Sequence, residues 1–203
     1  TGKTIQALDK AINLASQNKR VLYLCFNKLL SEYLKNHISK NYSGENLVVD
    51  SIHSWFYKII DEANLLNKIN DYTGDKFIFF SEVFPSVYMD SILEIDIEPF
   101  DVIIIDEAQD ILSSNYIDAI DLTLKGGIDK GRWHFFIDPL QDIFRGTDEK
   151  ILQRLIGYGC AQFDLTVNCR NTKEIAITTS IYSGLNISSE NALEGGICQT
   201  KFV

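Results

Sequence analysis

Five short apolar runs, separated by polar or amphipathic stretches, constrain this chain more than any other feature: residues 21–26, 47–50, 101–106, 133–138 and 163–167. Their hydrophobicity is nearly continuous rather than alternating, which is the pattern of strands covered on both faces. Between them, residues 4–17 place Ile5, Leu8, Ile12, Leu14 and Ala15 at roughly helical spacing. Residues 28–40 and 51–63 also read as helices, the second with a serine at its start. Strand and helix in alternation predict an α/β domain: a parallel sheet flanked by helices.

Residues 64–98 break that rhythm. They hold Tyr72-Thr73-Gly74-Asp75, an aromatic run from Phe77 to Phe80, Pro85, and acids from Asp90 to Glu98. An inserted segment between two strands and a long surface helix pair both fit. A second boundary is expected near 167–170, followed by a helix at 172–183 and the first strand of a further unit at 197–203.

Composition narrows the class. With 203 residues, 45% hydrophobic and 23% charged, the chain has enough apolar material for a cored domain and part of another. No apolar run approaches the ~18 residues of a membrane helix, so no membrane partner and a cytoplasmic location are expected. Cys25, Cys160, Cys169 and Cys198 show no metal-binding spacing and read as reduced thiols. The net charge of −9 disfavours tight nonspecific nucleic-acid binding, but the charge is uneven: residues 1–40 carry a net of +5 and the remainder −14.

Four stretches carry chemistry. Thr1-Gly2-Lys3-Thr4 matches the end of the phosphate loop G-x-x-x-x-G-K-[ST], in which backbone N–H groups cradle phosphates, the lysine reaches them and the hydroxyl binds Mg²⁺. The helix that follows immediately is what such a loop requires. In Asp101-Val102-Ile103-Ile104-Ile105-Asp106-Glu107-Ala108-Gln109-Asp110, a core strand delivers two adjacent carboxylates to its carboxyl end, where open parallel sheets bind ligands. Mg²⁺ would meet the charge on Asp106, and Glu107 would take a proton from an attacking water. The strand at 133–138 ends in Asp138-Pro139-Leu140-Gln141, an acid and a glutamine able to sense a γ-phosphate. In Val167-Asn168-Cys169-Arg170, an arginine suited to bidentate phosphate contact follows the last predicted strand.

Taken in order, these segments resemble superfamily 1 helicases of the UvrD/Rep type. Val21-Leu22-Tyr23-Leu24-Cys25-Phe26-Asn27-Lys28 is similar to that family's motif Ia, and Val48-Val49-Asp50-Ser51-Ile52-His53-Ser54-Trp55-Phe56 to its motif Ib. The resemblance implies a P-loop NTPase of RecA-like fold. Its ATP-binding domain would span residues 1–167 with a short insert at 60–98, and 168–203 would begin a second motor domain. It implies ATP and Mg²⁺ as cofactors: Gly2 and Lys3 on the phosphates, Thr4 and Asp106 on Mg²⁺, Glu107 as catalytic base, and Gln141 and Arg170 on the γ-phosphate. It further implies single-stranded DNA as partner, near Phe26, Asn27, Ser51, His53, Phe144 and Arg145.

The implied activity is an ATP-dependent DNA helicase or translocase in the intact protein. Residues 1–203, cut inside the phosphate loop, are expected to be inactive alone. A P-loop switch in assembly or defence, without movement on DNA, is the alternative. Departures from the family pattern are Ile137 in place of glycine, Asp142 in place of a small serine, and Cys169 in place of an aromatic. For His53 and Trp55, packing at a helix start competes with a role on the strand.

Overall fold

A computed structural model describes residues 2–138, 149–163, 172–183 and 194. Gln141, Phe144, Arg145 and Arg170, with Asp142 and Cys169, lie outside the described residues, as does the strand expected at 197–203. Two compact units divide the chain: Ala7–Ala161, and Thr1–Gln6 with Gln162–Val203.

The described strands are β1 (Val21–Cys25), β2 (Leu47–Ser51), β3 (Val102–Asp106) and β4 (Arg132–Phe135). They form one parallel sheet in the order β2-β1-β3-β4. Helices α1 (Lys3–Ser16), α2 (Lys28–Asn41) and α3 (Ile52–Glu62) fall within two residues of their predicted spans. The chain is therefore α/β, with an all-parallel sheet flanked by helices, as the alternating pattern predicts.

Burial explains why β1 and β3 read as unbroken apolar runs. Leu22, Leu24, Ile103 and Ile105 point to one face, and Val21, Tyr23, Cys25, Val102 and Ile104 to the other. The second face is covered by Ala7, Leu8, Ala11 and Leu14 of α1 and by Leu34 and Ile38 of α2. Each such aliphatic side chain contributes roughly 1.5–3 kcal/mol when fully buried. β4 pairs only with β3 among the described residues and is partly exposed throughout, as an edge strand should be. It is also shorter than the predicted 133–138. Beyond Phe135, Phe136 donates to Ile105 O and accepts from Ala108 N, so its carbonyl serves the turn after β3.

The segment after α3 folds as α4 (Leu66–Asn70), α5 (Lys76–Ile78), a π-helical turn (Phe79–Val83) and α6 (Phe84–Glu94). Ile69, Phe84, Val87 and Tyr88 join Leu22 and Ile105 in the same core. Pro85 explains the π turn: it has no N–H to offer Ser81 O, and the Asn115 side chain supplies that donor instead at 2.7 Å. A buried relay fastens this layer. Trp55 Nε1 donates to Tyr88 OH at 3.0 Å, Tyr88 OH bonds Thr123 Oγ1 at 2.7 Å, and Thr123 Oγ1 donates to Ala119 O at 2.9 Å.

Helices α7 (Ser114–Thr123), α8 (Gly127–Lys130) and α9 (Glu149–Gly157) complete the larger unit. Gly131 forms the turn into β4; a Cβ there would sit 2.2 Å from Gly127 O. In the smaller unit, α10 (Lys173–Ser183) forms within the predicted 172–183. Of the run expected at 163–167, only Phe163 is described, and it is 87% exposed outside any strand. No helix among the described residues is long and apolar enough to cross a membrane.

Candidate functional site at the carboxyl edge of the sheet

In-register pairing brings the strand ends together. Cys25 lies opposite both Ser51 and Asp106, and Ile105 opposite Phe135. The residues that leave these strands, Phe26-Asn27, Ile52-His53, Glu107 and Phe136–Asp138, therefore share one edge. Chain connections run from β1 outward to β2 and then back across to β3. The space between the ends of β1 and β3 is thus a switch point, where such sheets form ligand crevices.

Asp106 closes β3 and is fully buried. Its Oδ2 accepts from Tyr23 OH at 3.1 Å and its Oδ1 from Glu107 N at 3.1 Å. Burial and the Asp106 carboxylate hold the Tyr23 hydroxyl far above its ordinary pKa, so it stays a donor. Burial likewise pushes the Cys25 thiol up to about 12, with the Asp106 and Asp50 carboxylates adding to it. Cys25 is consequently a packed thiol rather than a nucleophile.

Glu107 departs from the strand in the left-handed region, φ 53° and ψ 46°. Its Oε2 accepts from Gln109 Nε2 at 2.7 Å, while Gln109 Oε1 accepts from Asp138 N at 2.9 Å. Oε1 of Glu107 carries no hydrogen bond among the described residues, which leaves it open to accept a proton.

The donors at the end of β3 are the two adjacent carboxylates of Asp106 and Glu107. Among the described residues no Lys or Arg is paired with the buried Asp106, and two hydrogen bonds reach its carboxylate. Each carboxylate oxygen keeps a further lone pair. Among the described residues no cluster of three or more His, Cys, Asp or Glu could hold a metal.

The remaining predicted residues divide into those with a structural role and those open to a ligand. Asn27 caps α2, its side chain accepting from Leu30 N at 3.2 Å. Ser51 caps α3, accepting from Ser54 N at 3.3 Å. Trp55 is buried in the core, edge-on to Phe100. His53 is half-buried, with Nε2 3.0 Å from Tyr116 OH and its ring edge-on to Phe26 at 5.4 Å and Phe80 at 5.2 Å. His53, Tyr57, Phe79, Phe80 and Phe84 line a cleft of about 280 Å³.

Gly2, Lys3 and Thr4 stand at the start of α1. Gly2 has φ 69°, a conformation that favours glycine, and its carbonyl accepts from Gln6 N at 3.0 Å. Of the basic N-terminal residues, Lys35 is committed to Asp50 at 2.8 Å. Lys58 of α3 bonds the other oxygen of Asp50.

Two residues of this edge are not among the predicted site residues. Tyr23 shows no signal beyond being an aromatic in a strand, because its partner is 83 positions away. Gln109 sits inside the acidic motif, where only the fold reveals that its amide faces Glu107 and the exit of β4. Fold and edge together define an α/β protein with an acid pair at the carboxyl end of a central parallel strand. Compared with models of known protein families and with curated proteins, the chain matches none.

Proposed function

We infer that the chain is the nucleotide-hydrolysing core of a P-loop motor of the superfamily 1 helicase kind, which couples ATP hydrolysis to movement on single-stranded DNA. The observation that carries this reading is the state of the two acids. Among the described residues, Asp106 is buried with no cation paired to it, and Glu107 is held by one oxygen while the other carries no hydrogen bond. Bound Mg²⁺ would neutralise phosphate charge beside Asp106; Thr4 keeps its place on the ion from the sequence resemblance alone. Lys3 would bind the phosphates, and Glu107 Oε1 would take the proton of the attacking water. Gln141 and Arg170 would contact the γ-phosphate. Phe26 and His53 would face the DNA strand; Phe144 and Arg145 keep that role from the sequence resemblance alone. Asn27 and Ser51 would act there mainly by fixing the starts of α2 and α3.

A switch without movement on DNA is the second reading. The commitment of Lys35 and Lys58 to Asp50, in a chain of net charge −9, favours it by removing cations that could meet phosphates.

One experiment separates these readings. In the full-length protein, Glu107→Gln should keep Mg–ATP binding while lowering turnover by about 10²–10⁴-fold. Single-stranded DNA should raise wild-type turnover at low salt. Normal turnover by the variant removes Glu107 from the chemistry, and wild-type turnover indifferent to DNA leaves the switch.

A further inference from the structure

Gln109 is a buried amide, 6% exposed, in a turn whose neighbours Ala108, Ile111 and Leu112 all belong to the core. A buried amide costs free energy unless both its ends are bonded, and a leucine would fill the same volume without that cost. Both ends are bonded here. The donor end holds the Glu107 carboxylate, and the acceptor end holds the backbone N–H of Asp138, 29 residues further along.

Glu107 needs such holding. Its left-handed backbone is unfavourable for a residue with a Cβ, and such conformations persist where surrounding bonds over-determine them. Ala108 N bonds Phe136 O at 2.9 Å, and Asp110 N bonds Glu107 O at 3.1 Å. These bonds fix the turn, but neither fixes the carboxylate. Among the described residues, only the Gln109 amide does.

We propose that Gln109 is a positioning residue: it orients the Glu107 carboxylate and ties it to the backbone leaving β4, so that movement of that backbone moves the proton acceptor. The link runs through one side chain and joins the ends of two neighbouring strands. It gives the segment after Phe136 a direct mechanical hold on Glu107. This proposal rests on the ATP-hydrolysis reading above.

The test uses the full-length protein and four variants: Gln109→Leu, Gln109→Met, Gln109→Glu and Glu107→Gln. The Met variant guards against failure of the Leu variant to fold. Gln109→Glu keeps an acceptor for Asp138 N but removes the donor and sets a like charge against Glu107. All three Gln109 variants should lower kcat for ATP by about 10–100-fold, part of what a general base contributes. The Kd for Mg–ATP should stay within about threefold of wild type, because Gln109 acts only through the reacting carboxylate.

The deciding measurement is a double-mutant cycle: in the Glu107→Gln background, Gln109→Leu or Gln109→Met should cost no further kcat. Losses that multiply in the double variant overturn the proposal. So does unchanged kcat in folded Gln109 variants, or weakened nucleotide binding with kcat intact. A wild-type protein that turns over no ATP overturns the hydrolysis reading and this proposal with it. Wild-type turnover indifferent to Gln109 overturns this proposal alone.

Discussion

The Tyr23 hydroxyl donates to Asp106 Oδ2 across 3.1 Å, so the middle of β1 holds the carboxylate that ends β3. Both groups are fully buried. Tyr23→Phe should therefore leave one oxygen of Asp106 unpaired and cost about 1–3 kcal/mol in denaturant unfolding. On the proposed ATPase reading, the same variant of the full-length protein should need more Mg²⁺ for half-maximal rate, because Asp106 would be less firmly aimed. A Mg²⁺ requirement equal to wild type would confine Tyr23 to a stabilising role.

Asp50 ties α2 to α3 through Lys35 and Lys58. Burial raises its carboxyl pKa, but the hydrogen bonds from the two lysines outweigh burial and hold it below the usual 3.8. The folded value lies under the unfolded one, so this stabilisation is present above about pH 4 and is lost as pH falls further. Asp50→Asn should cost about 1–2 kcal/mol at pH 6 and clearly less at pH 3. Unfolding curves at the two pH values check it; an equal cost at both would refute the assignment.

His134 behaves in the opposite chemical sense but with the same pH direction. Burial, then Lys10 and Arg132, lowers its pKa from 6.5 to about 4, and among the described residues its buried Nε2 meets no hydrogen-bond partner. Between those values the unfolded chain binds the proton and the folded chain does not, so stability declines as pH drops from 6.5 towards 4. The whole step amounts to roughly 3–4 kcal/mol at about 1.4 kcal/mol per pH unit. His134→Leu should flatten that part of the stability profile.

Tyr88 receives the Trp55 indole and bonds Thr123. Tyr88→Phe keeps the ring stack on Phe56, 3.7 Å between centroids, but strands the indole N–H. A loss of about 1–3 kcal/mol is expected, with the ATPase rate of the folded protein unchanged. Thermal melts and turnover measured side by side check both halves.

Parts of this molecule were legible without its structure because they are local. Four β-formers between Asp101 and Asp106 specify a core strand wherever they sit, and the acid pair must then emerge at its carboxyl end. The helices after Lys3, Asn27 and Ser51 follow from their apolar spacing, and the side chains of Asn27 and Ser51 cap theirs. The place of the helix Ser114–Thr123 was not legible: its buried residues, Tyr116, Ile117, Ala119, Ile120 and Thr123, pack in a layer with Phe84–Glu94, which is distant in the chain. The π turn before α6 needed Asn115, 34 residues from the carbonyl it satisfies.

The same division holds at the candidate site. Sequence alone determined the sheet strands, the acids at the end of β3 and the glycine-lysine-threonine start of α1, because each depends on residues adjacent in the chain. Tertiary structure alone decided that Trp55 serves the core and that Asp50 claims two lysines. It also decided that Tyr23 and Gln109 hold the acid pair. The longest-range of those contacts, Tyr23 with Asp106 and Gln109 with Asp138, meet only when the parallel sheet sets its strands in register.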